Sequence, residues 1–216
     1  IIGVISTIGT VITTVMAAFA FSRIKFPGRE VIFTLFLATM MIPGEMMVIT
    51  NYITVTKTAK NVAKTLFGIK NFTGVDSYWA LIVPFLISVY YIYLLRQNFK
   101  QIPDELYYAA KVDGTSDFKY LIKIMIPIAM PTIITITILK LMGSWNAYVW
   151  PEMITRKQEM KLISNGLRTS FNDSSGRTNQ GYQMAAAFAV TMPLLIAFIF
   201  LRKYLMRGVS RSGIKG

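Results

Sequence analysis

The sequence predicts an all-α protein, a polytopic bundle of transmembrane helices, and three observations carry that prediction. Of the 216 residues 54% are hydrophobic and only 15% are charged, whereas a soluble domain carries about 25% charged residues. Five stretches, residues 1–21, 31–53, 78–95, 124–142 and 184–201, are apolar over lengths near the roughly 20 residues that a helix needs to cross a bilayer. Lys and Arg lie almost entirely between these stretches. The runs lack the two-residue alternation of barrel strands, so the period favours helices.

The first span carries Ser6, Thr7, Thr10, Thr13 and Thr14, whose hydroxyls can bond back to the helix. The second is interrupted by Pro43-Gly44-Glu45, and prolines recur within the others at Pro84, Pro127, Pro131 and Pro193. A proline costs a soluble helix about 3 kcal/mol, but within a membrane bundle neighbouring helices can satisfy the freed carbonyls. The chain opens on Ile1 rather than Met, inside an apolar run without the basic region of a signal peptide, and a missing amino-terminal portion is the expectation.

Residues 101–131 form the longest polar interruption that still reads as ordered structure. Pro103 suits a first helical turn, and Asp104 and Glu105 follow where the helix dipole favours acids. Leu106, Ala109, Ala110 and Asp113 are expected on one face. Gly114 can stop this helix, and Thr115 or Ser116 can cap a second one through Phe118 and Leu121. The expectation is an elbow of two short helices joined at a glycine, with alanines leaving a shallow groove.

Loop charge sets the topology. Residues 22–30, 96–123 and 202–216 share one side and hold thirteen Lys and Arg, against nine in the opposite loops. That bias places the elbow in the cytoplasm. The net charge of +13 is dispersed between apolar segments, which fits lipid headgroups rather than nucleic acid. With no Cys and no His, disulfides, thiol chemistry and most zinc sites are excluded.

Ala109-Ala110, Gly114, Ile124 and Pro127, in that spacing between two spans, resemble the "EAA" loop of bacterial ABC importer permeases. The resemblance continues through Arg23 to Gly28, Met41 to Glu45, Leu94 to Phe99, Ser144-Trp145-Asn146, Trp150-Pro151 and Gly208 to Gly216. Together these resemble the second permease subunit of carbohydrate ABC importers, of the maltose or oligosaccharide type. What the resemblance implies is a single transmembrane domain over 1–216 in the bacterial plasma (inner) membrane, with one further span before Ile1 and a coupling loop at 101–127. It implies a loop that docks on an ATPase subunit through Tyr108, Ala109, Ala110, Asp113, Gly114, Ile124 and Pro127. Tyr108 stands where the family has glutamate. It also implies a sister permease, two ATPase subunits that bind ATP and Mg, an extracytoplasmic solute-binding protein and a sugar substrate. This chain itself would bind no cofactor and would be no enzyme. The stretch 56–75 is less like the family and reads as enlarged.

Outside the elbow, Glu45 is an acid beside a helix break, facing either an aqueous pathway or water at an interface. Asn146, a candidate for the substrate pathway, lies in a Trp-rich cluster at the end of the fourth span that either anchors the span at the membrane interface or contacts substrate. The polar segment 155–182 is expected to be an irregular loop. Within it Asn172, Ser175, Gly176 and Gln180 are candidates for contact with the binding protein, as the family resemblance implies. The tail holding Arg211, Lys215 and Gly216 either meets anionic lipid or, as the resemblance implies, reaches the ATPase pair. Its glycines do not make a nucleotide-binding loop, because the Gly-Lys-Ser/Thr order fails. Rival readings are a permease for glycerol-3-phosphate or a similar polyol ester, an intramembrane enzyme, and a passive channel or scaffold. The enzyme would need a nucleophile–base pair or metal ligands within the spans, and the channel would need no docking surface.

Overall fold

The computed structural model describes residues 1–58, 60–61, 64–65, 74–169 and 180–210, with the side chains of 168–169 and 201–210 outside that description. Every regular element among the described residues is helical. Helix α1, Ile2–Arg23, is built inside out relative to a helix in water. Ser6, Thr7, Thr10 and Thr14 are buried, whereas Val4, Ile5, Ile8, Ile12 and Met16 are exposed. Lipid explains the inversion: aliphatic side chains lose nothing by facing it, and small residues let helices approach closely.

Helices α2, Arg29–Thr39, and α3, Gly44–Ile53, follow, the latter running into one wide turn at Thr54–Thr58. Helix α4, Tyr78–Ile82, tightens into a 3₁₀ turn at Val83–Phe85 before α5, Val89–Lys100. Among the described residues, three runs are long and apolar enough to cross a membrane alone: Ile2–Arg23, Asp117–Trp145 and Gln180–Phe200. The second and third expected spans are each a broken pair, Arg29–Thr39 with Gly44–Thr58 and Tyr78–Phe85 with Val89–Lys100. Proline causes both breaks. Pro43 precedes α3 as its N-cap, and Pro84 sits in the 3₁₀ turn, where a missing N–H costs least. Ser88 then caps α5 by accepting the Tyr91 N–H. The Leu86 carbonyl at this break accepts a hydrogen bond of 2.6 Å from Thr13 of α1. A neighbouring helix thus satisfies a carbonyl left open where the span breaks, whereas the carbonyl that Pro84 itself frees is that of Ala80, four residues back, which accepts the Trp150 indole N–H.

After α6, Asp104–Val112, and α7, Asp117–Tyr120, a wide turn at Leu121–Met125 leads into α8, Ile126–Trp145. The Ile126 N–H bonds to Leu121, five residues back, immediately before Pro127. The fourth span therefore starts at Asp117, and the second helix of the expected elbow is its first turn. Helices α9, Val149–Ile154, α10, Ile163–Thr169, and α11, Gln180–Ser210, follow among the described residues.

The described residues fall into two compact units. One is built from Ile1–Ser6, Pro43–Phe85 and Leu141–Phe200. Its core is Ala80, Leu81, Trp150 and Ile154. Trp150 is only 6% exposed, donates its indole N–H to the Ala80 carbonyl (2.9 Å) and meets Phe85 edge-on at 5.7 Å. It is a core residue, which corrects the expected interfacial anchor. The segment after α9 is also ordered as far as it is described. The Asp76 carboxylate accepts the Arg156 and Lys157 N–H groups at 2.5 and 3.0 Å. The fully buried Asn165 donates to the Tyr148 carbonyl and to Glu152. Over 155–169 the segment is irregular at 155–157 and 161–162, as expected, and is interrupted by a 3₁₀ turn at Gln158–Met160 and by a helix at Ile163–Thr169.

The second unit is built from Thr7–Ile42, Leu86–Lys140 and Leu201–Gly216. Val15 and Phe19 of α1, Leu95 and Phe99 of α5, and Tyr120, Leu121 and Met125 form its main core. A second cluster sets Phe21 against Phe26, Phe33 and Phe36 at 5.4–5.9 Å between ring centres. The candidate site belongs to this unit.

Candidate functional site

Helix α6 begins after Pro103, with Asp104 and Glu105 in its first turn and Lys111 in its last, all complementary to the helix dipole. It ends because Gly114 turns left-handed at φ +69°. The Thr115 N–H then reaches the Ala110 carbonyl at 2.9 Å and the Gly114 N–H reaches Lys111 at 3.0 Å. A side chain at 114 would strain that stop. Ser116, rather than Thr115, caps α7 by accepting the Lys119 N–H at 3.4 Å.

The two arms of the elbow are tied together through Asp117. Its carboxylate accepts the Tyr107 hydroxyl at 2.8 Å and the Lys111 ammonium at 2.7 Å, while Tyr107 packs edge-on against Tyr120 at 5.1 Å. The hydrogen bond to Asp117 holds the Lys111 ammonium above its ordinary pKa of 10.5. Its contribution is therefore complete below 10.5 and is lost only as pH rises through the raised value. Burial, reinforced by Asp117, raises the Tyr107 phenol as well.

The expected face divides. Leu106, Ala109 and Asp113 are exposed, as are Tyr108 and Gly114, and Val112 is 88% exposed. Ala110, only 6% exposed, instead packs into the chain's own core. Neighbouring helical positions differ by about 100°, so one alanine of the pair faces out and the other in. Ile124 packs against the same core, while Pro127 is exposed. Tyr108 lies 6.0 Å from the Tyr107 ring centre, with the Lys25 ammonium 6.0 Å from its own. Lys25 also opens an adjoining cleft of about 690 Å³ lined by residues 25–31.

Two buried arginines that sequence reasoning missed support this region. Arg23, the last residue of α1, pairs with Asp104 and donates to the Phe99 carbonyl at 3.0 Å and to that of Ile102. Arg96 of α5 donates to the Phe21 carbonyl at 3.0 Å, pairs with Glu30 at 2.6 Å and lies 3.8 Å from the Phe33 ring centre. Both arginines lie in segments that carry the family resemblance, but their partners are far away in sequence, and a basic residue at the end of an apolar run ordinarily marks a solvated flank.

The remaining candidates do not join the elbow. Glu45 is exposed in the first turn of α3. Asn146 is exposed and donates its amide to the Met142 carbonyl at 3.0 Å, closing the end of α8. Gln180 is exposed at the start of α11. Asn172, Ser175, Gly176, Arg211, Lys215 and Gly216 lie outside the described residues. Among the described residues, no group of three or more acidic, His or Cys side chains could hold a metal ion.

Residues 9–211 match the family described as "Binding-protein-dependent transport system inner membrane component". The arabinooligosaccharides transport system permease protein AraQ of Bacillus subtilis (strain 168) is 29% identical over 216 residues, covering 100% of this chain and 71% of that protein. The sn-glycerol-3-phosphate transport system permease protein UgpE of Yersinia pestis is 27% identical over 206 residues, or 95% of this chain and 68% of that protein. Among solved structures, a bacterial ABC transporter involved in the import of the acidic polysaccharide alginate matches with a TM-score of 0.72 at 23% identity. That match covers 94% of this chain and 72% of that one, and it supports the fold. An apolar, multiply spanning helical chain with a polar elbow between two spans thus belongs to the inner-membrane permease family of binding-protein-dependent ABC importers.

Proposed function

We propose that this permease carries a sugar or oligosaccharide and that its elbow is the surface on which an ATPase subunit docks. The observation that carries the docking reading is the exposed row Leu106, Ala109, Val112 and Asp113, an apolar and small-residue surface on a short helix pinned at both ends. An exposed apolar row of this kind marks a surface that a partner protein or the membrane covers, and the spacing that resembles the family's coupling loop favours the protein. ATP and Mg would bind on two separate ATPase subunits. A sister permease would complete the pathway, and an extracytoplasmic binding protein would deliver the sugar. Closure of the ATPase pair would move the elbow, and alternating access would follow.

The similarity to AraQ over the whole chain supports an oligosaccharide cargo. The similarity to UgpE supports a second reading, import of glycerol-3-phosphate. That anion favours a basic group along the pathway, and Lys140 is the basic residue inside the expected spans. Reconstitution of the complete importer with its binding protein separates the two. ATP-dependent uptake of labelled arabinotriose without uptake of glycerol-3-phosphate supports the sugar reading, and the opposite pattern replaces it.

A further inference from the structure

Arg23 has a fixed half and a releasable half. Its side chain is 4% exposed, whereas that of its partner Asp104 is 68% exposed. The fixed half is the pair of bonds to the Phe99 and Ile102 carbonyls, at the end of α5 where the helix dipole favours a cation. Both bonds are made by Nη2, so the guanidinium stays anchored to the end of α5 whether or not Asp104 is present, while Nη1 is the nitrogen that reaches Asp104. The Asp104 carboxylate lies largely in solvent, which screens the pair and weakens it as a device for stability. It does something the backbone does not. Helix α6 is already joined to α5 through Gln101 to Pro103, but α1 lies 81 residues earlier in the chain and meets α6 at this pair. Arg96 makes the comparable bond between α5, the end of α1 and Glu30, without reaching the elbow.

We propose that the Arg23–Asp104 pair is the joint that makes α1 follow the elbow, so that Arg23 is a positioning residue for coupling rather than a docking contact. This rests on the reading of the elbow as the ATPase-docking surface. Asp104, already engaged within its own chain, is thereby unavailable as a substitute for the acid that Tyr108 replaces.

These 216 residues contain no cysteine, so each reporter is the one thiol among them, and a Cys-free version of the remaining importer is labelled in parallel as the background. Val112→Cys reports on the elbow, and Thr14→Cys, a near-isosteric change at a buried site of α1, reports on the span. Both are placed in the complete importer in membranes and labelled with maleimide, with and without ATP and vanadate. The expected result is that nucleotide changes both labelling rates. In an Asp104→Ala background the Val112 response should persist while the Thr14 response falls by at least about fivefold, the lower end of ordinary coupling factors. Asp104→Glu should restore it. An unchanged Thr14 response in Asp104→Ala overturns the joint, as does a Thr14 reporter that never responds while Val112 does. Loss of ATPase co-purification in Asp104→Ala would make the residue a docking contact, and failure to extract a monodisperse complex would make it a folding one; either overturns the proposal. A Val112 reporter indifferent to both ATPase and nucleotide in the parent would instead remove the docking reading itself.

Discussion

Asp76 adopts φ +54°, a left-handed conformation that aspartate and asparagine tolerate better than most residues. In return its carboxylate gathers two successive N–H groups from Lys157 and Arg156, which hold its pKa below the ordinary 3.8. A depressed carboxylate stabilises the fold above its ordinary pKa and loses that contribution as pH falls through the lower, folded value. Hydrogen exchange at the Arg156 and Lys157 amides should therefore stay slow from neutral pH down to 3.8 and rise only below it. Asp76→Asn keeps one acceptor and should raise exchange less than Asp76→Ala. Trp150 makes a second test at this scale. Trp150→Phe removes the indole N–H from the Ala80 carbonyl while keeping an aromatic ring, so a loss of about 1–3 kcal/mol is expected in denaturation of the detergent-solubilised protein. The sequence could not disclose either role. Trp at the end of a span is usually interfacial, and the burial of Trp150 depends on α4, 70 residues away.

At the scale of elements, the elbow shows what local chemistry decides and what it leaves open. Pro103, the first-turn acids, Gly114 and the Ser116 cap are local signals, and the structure uses each of them. The orientation of α6 is not local, because Ala109 and Ala110 are chemically identical and only the core around Tyr120 and Met125 selects between them. Two substitutions separate the faces. Ala110→Trp should destabilise the permease by roughly 1–3 kcal/mol or more through overpacking. Ala109→Trp should leave thermal stability near the parent value but reduce ATPase co-purification. The repaired break in the third span gives another test. Thr13→Val keeps the shape of the side chain but leaves the Leu86 carbonyl without its donor, at an expected cost of about 1–3 kcal/mol, read from thermal unfolding in detergent.

For the whole molecule, the five apolar stretches were legible because bilayer thickness imposes a length that composition reveals directly. What composition hid was continuity. Two of those stretches are broken helices, and a third begins seven residues earlier than its hydropathy suggests because Asp117, Lys119 and Lys123 lie in its first turns. Glu45 matters at this scale because its role depends on the assembled importer. If α3 opens onto the pathway, Glu45→Gln should weaken apparent sugar affinity by about tenfold or more, as expected for losing a hydrogen bond to a charged group. ATPase co-purification should persist, since the elbow is untouched. Unchanged uptake kinetics would assign Glu45 to the membrane interface.

The inverted packing of α1 changes which of its letters carry information. In a water-soluble helix the large aliphatic residues are the ones a lineage cannot freely exchange. Here Ile5, Ile8, Ile12 and Met16 face outward, where fluid acyl chains fill whatever outline they meet. Ile-for-Leu or Val-for-Met drift along that side should be close to silent. The small hydroxyl-bearing positions Ser6, Thr7, Thr10 and Thr14 have no such freedom, since each fits against protein and a single added carbon must displace a neighbour. A saturation-mutagenesis profile of α1 should therefore be most permissive at its greasiest positions and least permissive at its most modest ones.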